Sequence, residues 1–113
     1  MKIAMAVVKK GSLKDKIAEH FGQAENFLIY DTESDKFVVK KNPEFLGKPE
    51  LPPDFLHRFK VDAVITFSLG PRAHEKLRDY KIKMYKATEG TVLENITALK
   101  EGQLRELTQE DLF

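Results

Sequence analysis

The sequence contains no cysteine and no tryptophan. The missing thiols exclude disulfides, thiolate metal sites and thiol catalysis within the chain. Charge of one sign is also lacking: 19 Lys and Arg stand against 18 Asp and Glu, a formal net charge of +1. A nucleic-acid binder normally carries a basic patch or a clearly basic balance, so DNA and RNA are not expected partners. Long apolar runs are missing too. The opening MKIAMAVVKK holds only a short one, too short for a signal peptide or for a spanning helix of about 20 residues. The expected setting is the cytoplasm, without membrane association. No internal repeat or low-complexity stretch occurs.

What is present is the composition of a globular protein: 42% hydrophobic and 33% charged residues in 113. That length suits one domain, residues 1–113, with a core burying roughly two-thirds of the unfolded surface. Ile3 to Val8 is a continuous apolar run, as expected of a central strand covered on both faces. After Gly11, Ser12 reads as an N-cap with Asp15 three residues on. Leu13, Ile17 and Phe21 follow at helical spacing, which predicts one or two turns ending near Gly22. Phe27–Tyr30 and Phe37–Val39, joined by a short polar link, predict a hairpin.

The stretch from Asn42 to Pro53, with Gly47 and prolines 43, 49, 52 and 53, reads as a loop, and Pro53 can open a helix to Lys60. Ala63–Phe67 predicts a second buried strand. Pro71 opens a helix with Ala73, Leu77 and Tyr80 on one face, and Ile82–Tyr85 is a short strand. Thr91-Val-Leu-Glu94 is a capping box before a helix stopped by Gly102. The tail from Gln103 to Phe113 shows no clear pattern. This order predicts an α/β, ribonuclease H-like three-layer fold: a five-stranded mixed sheet with helices on both faces, only Phe27–Tyr30 running against the other strands.

Three segments stand where open α/β sheets bind ligands. Gly70-Pro-Arg-Ala73 follows a buried strand and opens a helix, whose free N–H groups favour anions, with Arg72 as a cationic fork. A tight turn beside a solvated arginine explains it equally well. Thr88-Glu-Gly-Thr91 occupies the same kind of position after the last strand, either sharing a pocket with Gly70 or simply capping its helix. His20-Phe-Gly22 offers the one common borderline metal ligand left without cysteine, though a lone His beside Phe is more often a packing residue. His20, His57 and His74 show no zinc-like spacing. The first strand holds no carboxylate for metal-dependent nuclease chemistry. Neither a P-loop nor a nucleophile elbow nor a Gly-x-Gly-x-x-Gly run occurs. An enzyme is not the expected reading.

Taken together, His20-Phe-Gly-Gln-Ala24, Phe27-Leu-Ile-Tyr-Asp31, Gly70-Pro-Arg-Ala73 and Glu89-Gly-Thr-Val92, in this order, resemble the dinitrogenase iron–molybdenum cofactor biosynthesis family, from Met1 to about Leu107. The resemblance implies a ribonuclease H-like fold and a non-enzymatic carrier of an iron–sulfur or iron–molybdenum cluster, with cluster donor or acceptor proteins as partners. His20 becomes the candidate metal ligand, with Phe21, Gly22, Gly70, Pro71, Arg72, Gly90 and Thr91 around the cluster. Phe67 and Ser68 depart from the family, which often has glycines there, and Phe67 is expected to narrow the approach. The stretch 42–53 also lacks the His or Cys of some relatives, which leaves room for a role outside nitrogenase. The competing reading is a protein-interaction or regulatory module on the same fold that binds no cluster.

Overall fold

An unbroken apolar run has no wet face, so it belongs in the middle of a sheet. Ile3, Ala4, Met5, Ala6 and Val7 are all fully buried, and they form most of the central strand β1 (Lys2–Val7). The computed structural model describes all residues, 1–113. Antiparallel β2 (Asn26–Asp31) pairs with β1, with Ala4 opposite Ile29, and β3 (Lys36–Lys41) pairs with β2 to complete the hairpin. On the other side, β4 (Ala63–Thr66) runs parallel to β1, and β5 (Lys83–Lys86) runs parallel to β4. The sheet order is β3-β2-β1-β4-β5. Only β2 opposes the rest, as the hairpin-then-crossover pattern predicts.

Alternation of side chains across β1 divides the core into two layers. Ala4 and Ala6 join Phe27, Ile29 and Val64 beneath Phe55, Leu56 and Leu77, which come from α1 (Pro52–Arg58) and α2 (Pro71–Asp79). The small alanines leave room for the large aromatics. Ile3, Met5 and Val7 point the other way, to Leu28, Tyr30 and Ile65 and to Val92 and Ile96 of α3 (Val92–Lys100). Helices thus cover both faces. At the β3 edge, Lys36, Lys40 and Lys41 stand along a largely exposed strand, a common guard against edge-to-edge pairing.

Several local expectations are corrected. No helix forms between Ser12 and Phe21; the segment is a turn followed by extended chain. The Asp15 carboxylate accepts from the Gly11 and Ser12 N–H groups, at 2.8 and 3.1 Å, so the capping signal closes a local turn instead of starting a helix. The next residues bond outward: Val8 N–H donates to Lys16 O, and Ala18 N–H to Ala6 O at 2.9 Å. Only Phe21–Gln23 turns helically, as one 3-10 turn. Boundaries shift by one or two residues elsewhere. β1 ends at Val7, leaving Val8 exposed, and α1 begins at Pro52, since neither Pro52 nor Pro53 lacks anything a first turn needs. The tail is ordered by the sheet. Lys86 N–H donates to Arg105 O and Leu107 N–H to Met84 O, so the tail covers the outer edge of β5 and buries Leu104 and Leu107.

Candidate functional site

The carboxyl ends of β1 and β4 meet in the region of the loop carrying His20. Two buried or half-buried polar side chains fix this loop. Asn42, fully buried, donates from Nδ2 to Gly22 O at 3.1 Å and Ala24 O at 2.9 Å, and its Oδ1 accepts from Glu44 N–H at 3.0 Å. It staples the His20-Phe-Gly turn to the loop that follows β3. Ser68 Oγ donates to Glu19 O at 3.2 Å, tying the residue before His20 to the loop after β4. Phe21 is buried against Phe27, ring centroids 5.1 Å apart. Phe21 is therefore a core anchor, and His20, exposed beside it, is the group presented outward.

His20 borders two depressions. The first, an open cleft of about 580 Å³, brings His20, Phe21 and Gly22 together with Gly70 and Arg72, and also Lys76, Phe45 and Phe113. The second holds His20 with Gly90, Phe67, Ser68, Lys16 and Lys86. Gly70 and Gly90 thus flank His20 from different sides instead of sharing one pocket. Pro71 and Thr91 line neither cleft. Phe67 lies on the Gly90 side, under the Lys86 ammonium, and does not line the Gly70 cleft.

The two helix starts differ in what they offer. At α2, Gly70 is extended and places no side-chain cap. Pro71 has no N–H, while the N–H groups of Gly70, Arg72 and Ala73 donate to no acceptor in the chain. The Arg72 guanidinium likewise makes no ion pair. Lys76, one turn on, is held by Asp54 at 2.9 Å. Hydrogen bonds from Tyr80 and from Lys76 keep the Asp54 carboxyl below its usual range, and Asp54 in turn raises the Tyr80 hydroxyl. At α3 the donors are already used. Val92 N–H donates to Asp15 O and Leu93 N–H to Leu13 O, and Thr91 and Glu94 form the expected reciprocal box. The Thr91 N–H bond holds the Glu94 carboxyl below its usual range. Buried Asn95 pins the preceding turn through Thr88 N–H, Thr88 O and Thr91 O.

Three residues with a part in this site escaped the sequence reading: Asn42, Asn95 and Phe113. The asparagines lie in a loop and mid-helix, and only their burial reveals them. Phe113 belongs to the tail. Its ring meets His20 edge-on, centroids 5.7 Å apart, and its Cε2 lies 4.0 Å from where a Cβ on Gly70 would stand.

The donor set offers one imidazole and no enclosing ring of ligands. No group of three His, Cys, Asp or Glu side chains sits close enough to enclose a metal ion. His20 makes no side-chain hydrogen bond, so its ring nitrogens are free to bind. The opposite wall supplies N–H groups and a cation, the environment an anionic group requires.

The same fold recurs in known proteins. A candidate NifB protein from Thermotoga, solved by NMR, superposes with a TM-score of 0.78 at 31% identity, covering 96% of this chain and 97% of that one. The apo form of the orange protein from Desulfovibrio gigas superposes at 0.84, covering 95% and 92%; at 19% identity that likeness concerns the fold. An uncharacterized protein of Methanocaldococcus jannaschii is 26% identical over 92% of this chain and 89% of its own length. The sequence profile described as dinitrogenase iron-molybdenum cofactor matches residues 1–102, and the chain therefore belongs to that family.

Proposed function

We propose that this protein is a non-enzymatic carrier of an iron–sulfur or iron–molybdenum type cluster, bound at His20 and exchanged with donor and acceptor proteins. The observation that carries this reading is the pairing across one cleft. A free imidazole stands on one wall, and on the other stand Arg72 and the unpartnered N–H groups of Gly70, Arg72 and Ala73. Such clusters are anionic and accept nitrogen donors at iron. With a single protein ligand the attachment is labile, because one bond must break for release. Phe21 and Gly22 shape the turn that presents His20, and Pro71 sets the first turn of α2. Gly90 and Thr91 lie on the far side of His20, where the Glu89 and Gly90 N–H groups find no partner in the chain.

The competing reading, an interaction module without a cluster, draws on Phe113, whose ring stands between His20 and Gly70. Anaerobic purification followed by metal analysis and an absorption spectrum separates the two. Iron or molybdenum near one cluster per chain, with sulfide-to-metal charge-transfer bands, supports the carrier. A colourless, metal-free protein that also fails anaerobic reconstitution refutes it.

A further inference from the structure

The segment Thr108–Phe113 ends with Phe113 on the lining of the cleft. It is tied at its root by Asp111, whose side chain is only 7% exposed. The Asp111 carboxylate receives both arms of the Arg105 guanidinium, at 2.9 and 3.0 Å, and the Thr108 N–H at 2.8 Å. Lys86 lies 3.5 Å from the same carboxylate and also donates to Phe67 O. Beyond this root the attachment thins. Leu112 still packs, half-buried, against the core and bridges Leu69, and Phe113 N–H donates to Leu69 O at 3.0 Å. Phe113 is 64% exposed, so little burial holds it over His20 and Gly70. A root held at Asp111 and Leu112 and an exposed Phe113 let the terminal residue move aside without unravelling the segment.

We infer that Thr108–Phe113 is an autoinhibitory strap: Phe113 plugs the gap between His20 and the start of α2, and any bulky ligand bridging the two must displace it. The inference takes its ligand from the carrier reading, but the plug itself stands on geometry. In this state the Phe113 ring rests edge-on against His20 and close to Gly70 while Arg72 lines the same open cleft, so a ligand reaching from one wall to the other meets the ring.

The test labels histidines with aquopentaammineruthenium(II), a bulky cation that bonds imidazole nitrogen by displacing its water. Peptide mass spectrometry reads the rate at each position. Phe113→Ala should accelerate labelling of His20 severalfold, with His57 and His74 unchanged as internal references. Asp111→Asn, which leaves the ring in place but loosens the root, should accelerate it less. Equal His20 rates in wild type and Phe113→Ala overturn the strap whatever the protein carries. Accelerated labelling in a protein that takes up no cluster anaerobically keeps the strap and removes the carrier reading.

Discussion

Asn42 is the residue on which the geometry of the His20 turn depends most, and its replacement has a calculable consequence. Its three side-chain hydrogen bonds lie at 2.9 to 3.1 Å within a fully buried residue. Asn42→Ala leaves Ala24 O buried without that partner, while Gly22 O and Glu44 N–H are partly within reach of water. An unsatisfied buried group costs roughly 1–3 kcal/mol and a wetter one less, so the loss should total about 2–4 kcal/mol. For a domain of this size that corresponds to a fall in Tm of about 8–16 °C. Urea unfolding should show a lower midpoint at unchanged slope. Asn42→Asp is nearly isosteric but puts a carboxylate against two carbonyl oxygens, so it should destabilise at least as much at neutral pH. A loss under about 0.5 kcal/mol for Asn42→Ala, or a benign Asn42→Asp, would refute the stapling argument.

Thr91→Ala removes the hydroxyl that caps Glu94 N–H and should cost about 1 kcal/mol in chemical unfolding; a larger loss of cargo binding than of stability would instead give Thr91 a direct role. Gly11 has φ +96°, and a Cβ there would lie 2.5 Å from Val39 Cγ2. Gly11→Ala should therefore disturb β3, read as faster amide exchange along Lys36–Lys41. The Arg105 guanidinium, then the Thr108 N–H, hold the Asp111 carboxyl far below the usual carboxylate range. A depressed folded-state pKa stabilises above the unfolded value and is lost only as pH falls through the folded one. The strap root should thus survive acidification past about pH 4, where ordinary carboxylates protonate. An Asp111 side-chain carboxyl carbon that titrates near pH 4 by NMR would contradict this.

The sheet was legible because its signals are redundant. Ile3–Val7 is apolar at every position, the hairpin link is polar throughout, and Thr91–Glu94 carries a complete capping box. The failed helix at 12–22 shows the limit of such reasoning. Ser12 and Asp15 satisfy a capping pattern, yet the backbone of Lys16–Ala18 finds better partners on β1, and Leu13 O and Asp15 O are taken by the first N–H groups of α3. Those partners are distant in sequence, so no local window contains them. Of the candidate site residues, His20, Phe21, Gly22, Gly70 and Arg72 line one cleft, whereas Pro71 and Thr91 line neither depression and Gly90 lines the other. The division into two depressions was not, because it depends on where Asn42 and Ser68 hold the His20 turn. Phe113 was invisible because its position is set by Asp111 and Leu69, neither of which marks it in sequence.

The central claim, a cluster attached at His20, is tested most directly by anaerobic reconstitution of four proteins side by side: wild type, His20→Ala, His57→Ala and His74→Ala. His57 stacks on Tyr80, 4.0 Å between ring centroids, and neither His57 nor His74 lines either cleft beside His20. The account predicts cluster uptake by wild type, His57→Ala and His74→Ala, and its loss in His20→Ala with an unchanged circular dichroism spectrum. Equal uptake by folded His20→Ala would contradict it.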